Sequence, residues 1–183
     1  MRLNKDFVEK GYAFVPQVLD KESCDFLTRY LFKCVYDDKD CWHDNQCPKS
    51  YAVNGSNKKP FQELLIRMKP VMETLTGLSL LKTYHFSRLY QPNDVLTEHT
   101  DREACEISMT LTLGFEGNVW GFYANDKKFD MNVGDAVIYR GMDIPHRRDK
   151  YIEGKWQSQI FLHYVDANGK YTAHEDDKII LKG

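Results

Sequence analysis

The spacing of apolar residues changes once along the chain. Before residue 82 it is helical. Phe26, Leu27, Tyr30 and Leu31 recur at three and four, and Asp20 ahead of them has the short acceptor side chain that suits an N-cap. A helix is therefore expected after Asp20, and GYAFVPQVL (11–19) before it reads as a short strand. The stretch 37–59 turns polar (DDKD, DNQCPKS, NGSNKK) and reads as a long loop of the kind that covers or shapes a site. Pro60 opens a second helix carrying Phe61, Leu64, Leu65 and Met68; Pro70 is expected to kink or restart it, and Gly77 to end it.

From residue 82 the period becomes two. KTYHFSRLYQP, DVLTEHTD, CEISMTLTLGF, NVWGFYAN, KKFDM, GDAVIYRG and QSQIFLHYVD are short, rich in β-branched and aromatic residues, and separated by turn signals such as Pro92-Asn93-Asp94 and Asn132-Val133-Gly134. The expected class is α+β, mainly β: a double-stranded β-helix (jelly roll) with the N-terminal helices packed on its outside. One domain is expected over 1–183. It comprises a strand and helical layer (1–81) containing the polar loop 37–59, a jelly-roll core (82–166) and a C-terminal tail (167–183).

Composition narrows the partners. A chain of 183 residues with 42% hydrophobic and 13% aromatic residues can bury a core without crosslinks. The formal net charge of −2 gives no footprint for nucleic acid or an anionic membrane. No apolar run approaches the roughly 20 residues of a membrane span, and MRLNKDFVEKGYAF lacks the apolar centre of a signal peptide, so a cytoplasmic protein is expected. Cys24, Cys34, Cys41, Cys47 and Cys105 form an odd set without framework spacing, as reduced thiols do. Cys41, His43 and Cys47 read as part of a zinc site, but with no fourth ligand and no CxxC pair.

The candidate chemistry starts at EHTD (98–101). In an extended strand residues i and i+2 share a face, so His99 and Asp101 can reach one metal ion only if this segment is a strand. An HxD pair alone more often marks a solvated strand end. His146 changes that balance. It closes GDAVIYRGMDIPH, and the residues between it and Asp101 suffice for several antiparallel strands to return it beside the pair. Two histidines and one carboxylate form the facial triad of non-haem iron(II), with open positions, whereas structural zinc takes four protein ligands. Lys155, nine residues after His146, offers a cation for a dicarboxylate buried in the barrel, and Tyr90, nine residues before His99, offers a hydroxyl. Taken singly, Lys155 reads as an exposed lysine and Tyr90 as a core aromatic. Gln157 and Gln159 share the Lys155 face, and Gln157 is a further candidate for that contact.

RLYQPNDVLTEHTD, GDAVIYRGMDIPH and GKWQSQIFLHYVD together resemble the iron(II)/2-oxoglutarate-dependent dioxygenases, in particular their prolyl 4-hydroxylase-like branch, over roughly residues 60–166. The resemblance implies that His99, Asp101 and His146 are iron ligands, that Lys155 pairs with the distal carboxylate of 2-oxoglutarate, and that Tyr90 hydrogen-bonds to it. It implies a hydroxylase in which 2-oxoglutarate and O₂ yield succinate, CO₂ and a hydroxylated C–H bond, with ascorbate as a possible further requirement. The chain departs from the branch at Leu96, where a tyrosine is common, and at Trp120 in GNVWGFY, where a small residue is usual; both bear on the prolyl substrate.

A prolyl residue in a peptide or protein is the leading substrate, with a free amino acid or other small molecule as alternative. A cupin-like metal-binding protein that does not use 2-oxoglutarate is the rival from another class. A nucleic-acid demethylase is disfavoured by the charge and by the final strand, which offers Lys155 and glutamines. Arg88, Trp120 and Tyr123 are candidate substrate contacts, against a default of core packing for the aromatics; Arg88 and Arg140 are placed to point into a barrel. Arg147 and Arg148 read as solvated, or alternatively as contacts for an acidic substrate, and His85 and His163 as structural. Oligomeric state is not legible.

Overall fold

A computed structural model describes residues 2–177 of the chain. Its first helix, α1 (Lys5–Lys10), starts where Asn4 Oδ1 accepts from the amides of Asp6 and Phe7, and ends at Gly11 with φ 80°. Strand β1 (Tyr12–Val15) follows, then α2 (Lys21–Phe32), capped by Asp20 Oδ1 accepting from Ser23 N at 2.8 Å. A wide π-type turn (Lys33–Asp37) leads into the polar stretch, which carries strand β2 (Tyr51–Val53). Helix α3 (Lys59–Thr76) has Pro60 in its first turn and Gly77 (φ 74°) beyond its last. It runs unbroken through Pro70, an exposed residue, where a lost backbone bond can be made up by water.

The remaining strands are β3 (Leu80–Tyr90), β4 (Leu96–His99), β5 (Ile107–Gly117), β6 (Phe122–Ala124), β7 (Lys127–Phe129), β8 (Ala136–Tyr139), β9 (His146–Arg148) and β10 (Gly154–Asp166). They form a six-stranded sheet in the order β1-β8-β5-β10-β3-β2 and a four-stranded sheet in the order β4-β9-β6-β7. The two antiparallel sheets make the jelly roll. Its larger sheet recruits β1 and β2 from the N-terminal segment, which is therefore more than a helical cover.

The larger sheet is buried on both faces, and its sequence shows which face is which. In β5, Ile107, Met109, Leu111 and Leu113 join the core under the helices, while Ser108, Thr110 and Thr112 face the barrel. In β10, Ile160, Leu162 and Tyr164 face the helices, while Gln157, Gln159, Phe161 and His163 alternate with them. Helix α2 brings Cys24, Leu27 and Leu31 to this core, and α3 brings Phe61, Leu64, Leu65, Met68, Met72 and Leu75. Each such side chain contributes about 2 kcal/mol when fully buried. Two polar contacts fix the layer: Thr28 and Ser158 share a hydroxyl hydrogen bond of 2.8 Å, and Tyr164 Oη donates to Leu65 O at 2.8 Å.

On the barrel side, polar side chains of β5 and β10 satisfy one another. Gln159 Nε2 donates to Thr110 Oγ1 at 2.7 Å, and Gln159 Oε1 accepts from Thr112 Oγ1 and Gln157 Nε2, both at 3.2 Å.

Candidate metal centre

Strand pairing assembles the centre. In β4–β9, His99 lies directly opposite His146, so antiparallel register brings together residues far apart in sequence. Asp101 follows the end of β4, and its backbone N–H donates to Gly141 O at 2.8 Å. Gly141 is required there. A Cβ on it would come within 2.2 Å of Cys105 O, 2.7 Å of Asp101 Oδ2 and 3.1 Å of Asp101 Cβ.

Donor atoms of His99, Asp101 and His146 all lie within 4.8 Å of one another. Asp101 Oδ1 is 3.5 Å from His146 Nε2 and 3.7 Å from His99 Nε2, and the two imidazole centroids are 4.3 Å apart. Each Nδ1 donates to a carbonyl two residues earlier, His99 to Thr97 O at 2.7 Å and His146 to Ile144 O at 2.9 Å. Those bonds fix the ring orientations and turn both Nε2 atoms toward the carboxylate. Burial, with the neighbouring His146, pushes His99 below the usual imidazole range. Burial alone would raise Asp101, but hydrogen bonding and charge from His146, with His163 and His99, hold it below the usual carboxylate value. A neutral His99 imidazole and an ionised Asp101 carboxylate are protonation states that a divalent ion needs.

The centre opens into a cavity of about 370 Å³ whose walls include Tyr84, Phe86, Tyr90, Tyr139, Phe161 and Arg88. The polar stretch covers part of its mouth. Arg88 Nη1 donates to Asp44 Oδ1 (3.0 Å) and Ser50 Oγ (2.8 Å), and Nη2 to Gln46 Oε1 (2.7 Å). With its oxygen so held, the Gln46 amide N–H lies 2.8 Å from His99 Nε2, where it donates to the lone pair.

The other residues named from sequence divide. Tyr90 and Arg88 line the cavity. Gln157 is buried in the glutamine network. Lys155 does not join them. It shares the strand parity of Gln157 but sits beyond the barrel's end, with its side chain 76% exposed and ion-paired to Glu116. Trp120 stands behind the cavity wall, stacked on Tyr151 (4.9 Å) and edge-on to Tyr90 (4.8 Å), and Tyr123 lies outside under Arg147 at 3.9 Å. Arg140 packs over Phe7 at 5.2 Å rather than into the barrel. Among the described residues, Cys41, His43 and Cys47 form no ligand cluster; His43 Nδ1 bonds Ser50 O at 2.8 Å.

Arg148 reverses its sequence reading. Two residues beyond His146 it shares that residue's inward face and is 1% exposed, with its guanidinium 5.1 to 5.8 Å from the rings of Trp120, Phe122 and Tyr90. Nη1 donates to Trp120 O at 2.5 Å, but Nε and Nη2, like the neighbouring Tyr90 Oη, are buried without a partner. The only signal for it in sequence is the i+2 step from His146, and charge normally argues for the outside face.

No protein-family model matches the sequence, and no curated protein does. Solved structures do resemble it. A Pseudomonas putida prolyl-4-hydroxylase superposes with a TM-score of 0.69 at 13% identity, covering 88% of this chain and 95% of its own. HygX from Streptomyces hygroscopicus, with nickel and 2-oxoglutarate bound, gives 0.71 at 10% identity, covering 90% and 86%. The non-heme alpha ketoglutarate dependent epimerase SnoN from nogalamycin biosynthesis gives 0.71 at 14%, covering 88% and 80%. The fold is that of the 2-oxoglutarate/iron(II) oxygenases.

Proposed function

We propose that this jelly roll works as an iron(II)- and 2-oxoglutarate-dependent oxygenase. The observation that carries the reading is the convergence of His99 Nε2, Asp101 Oδ1 and His146 Nε2 on one point at the head of a cavity. Two imidazoles and a carboxylate leave positions open for a chelating cosubstrate and O₂. The unpaired donors at the Tyr90 wall and just behind it suit the cosubstrate's far end. Arg148 Nε and Nη2 and Tyr90 Oη would hold its distal carboxylate, the role that Lys155 is too exposed to fill. Loaded with iron, such a centre couples conversion of 2-oxoglutarate to succinate and CO₂ with insertion of oxygen from O₂ into a C–H bond.

The chain's own residues bind, orient and exclude water. Thr97 and Ile144 carbonyls orient the two histidines, and Gly141 seats Asp101. Tyr84, Phe86 and Phe161 form an apolar wall suited to a saturated ring. The finer reading is hydroxylation of a prolyl residue in a peptide. A free small molecule is the second reading, favoured by the Asp44–Gln46 segment folded over the mouth, which leaves an enclosed space rather than a long groove.

The test is succinate formation from 2-oxoglutarate by metal-free protein reconstituted with iron(II) in air, with prolyl peptides and free amino acids as substrates. Activity should need both iron and O₂ and disappear in Asp101→Ala. No succinate above free iron, with any substrate or none, would end the reading.

A further inference from the structure

Asp101 has a second side. Its Oδ1 faces the two histidine nitrogens, whereas its Oδ2 is buried and has no hydrogen-bond partner. Around the same carboxylate stand Cys105 and His163, and one donor atom from each of the three lies within 4.8 Å of the others. Nδ1 of His163 is engaged by Ser108 Oγ at 2.8 Å, so its Nε2 remains as the free donor. Cys105 and His163 both line the cavity, which gives an ion a route in.

We propose that Asp101, Cys105 and His163 form a second metal site, for a borderline-soft divalent cation of the zinc type, joined to the first through a bridging Asp101 carboxylate. The donor set carries the choice of ion. One sulfur, one imidazole nitrogen and one carboxylate oxygen, with a fourth position open to the cavity, suit tetrahedral zinc or cobalt. Thiolate ligation selects against harder ions, so the two sites differ in preference although they share a ligand. An unpaired buried carboxylate oxygen is costly to leave, and a cation would satisfy it.

Binding is balanced by one proton. Burial keeps the Cys105 thiol protonated well above its usual range, so the incoming ion displaces that proton to solvent and takes the thiolate. Tyr84 Oη, 3.0 Å from Cys105 Sγ, is placed to donate to the thiolate once it forms. Arg102 lies over the Tyr84 ring at 4.8 Å, with Nη1 donating to Asp177 at 2.6 Å, and its positive charge favours the Cys105 thiolate. The proposal stands on Asp101's surroundings and does not depend on oxygenase activity.

The experiment is an anaerobic titration of the metal-free full chain with cobalt(II), read as stoichiometry and near-ultraviolet thiolate-to-cobalt absorption. Two equivalents are expected, one of them giving the thiolate band. Cys105→Ser and Cys105→Ala should each lose the band and one equivalent and keep the other. His99→Ala/His146→Ala should keep one equivalent with the band, which separates this site from the triad even if the triad binds nothing. A single equivalent without a band in the parent protein, or a band that survives both Cys105 variants when their circular dichroism is native, would overturn the proposal.

Discussion

Arg148 and Lys155 show how far residue type is from residue role. Both are cations near the distal histidine, yet one is enclosed by aromatic rings and the other reaches into water beside Glu116. Removing a buried, charge-paired anchor typically costs 2–5 kcal/mol, whereas an exposed ion pair is worth roughly 0–1 kcal/mol. Arg148→Met should therefore weaken 2-oxoglutarate binding by about 30-fold or more in calorimetry, and Lys155→Ala by about twofold at most. A large loss in Lys155→Ala with none in Arg148→Met would reverse the assignment. Gly141 offers an independent check. A methyl group there meets Cys105 O and Asp101 itself, so Gly141→Ala should lower manganese(II) affinity by about tenfold or more, roughly the effect of disturbing the groups that orient metal ligands.

Among the elements, the polar stretch before α3 is more than a cover. Its Gln46 amide donates to the nitrogen that His99 would present to a metal, and Arg88 holds that amide in place. Metal entry must break this hydrogen bond, worth about 1 kcal/mol. Gln46→Ala should then tighten manganese(II) binding by about fivefold and speed its association in stopped-flow measurements; unchanged binding would mean the contact does not compete. This element was also the least legible. Its polarity marks a loop, but β2 inside it is only Tyr51–Val53 and gains its place by pairing with β3. Helix α1 went unread because six residues are too few to show a period, although Asn4 was its cap. The longer helices were legible through Asp20, Pro60 and Gly77, and the triad through the period-two spacing of His99 and Asp101. Arg148, Gln46 and the Cys105–His163 side of Asp101 depend on which side chains meet across strands, and no local pattern encodes that.

At the scale of the molecule, helices on one face and the barrel on the other bury the larger sheet, and burial on the helix side sets how stability responds to acid. His85 points from β3 toward Phe61, ring centroids 5.5 Å apart, and burial lowers its pKa to about 4. An unfolded histidine takes its proton near pH 6.5, so between about 6.5 and 4 the unfolded chain binds a proton the folded one refuses. Stability is full above that window and falls as pH drops through it, by up to roughly 3 kcal/mol for this one group. Chemical denaturation at pH 7.0 and pH 4.5 should show the loss, and His85→Gln should shrink it; an unchanged pH slope would mean that the ring is hydrated.

The guanidinium of Arg148, bonded through Nη1 alone, has its own outcome at this scale. A solitary positive charge sealed among aromatic rings weakens the fold until an anion arrives, and anything that binds only the folded chain raises its melting point with concentration. If the proposed function holds, a small diacid would act as a missing piece of the barrel, and the amount of intact protein in a cell would follow the supply of that metabolite.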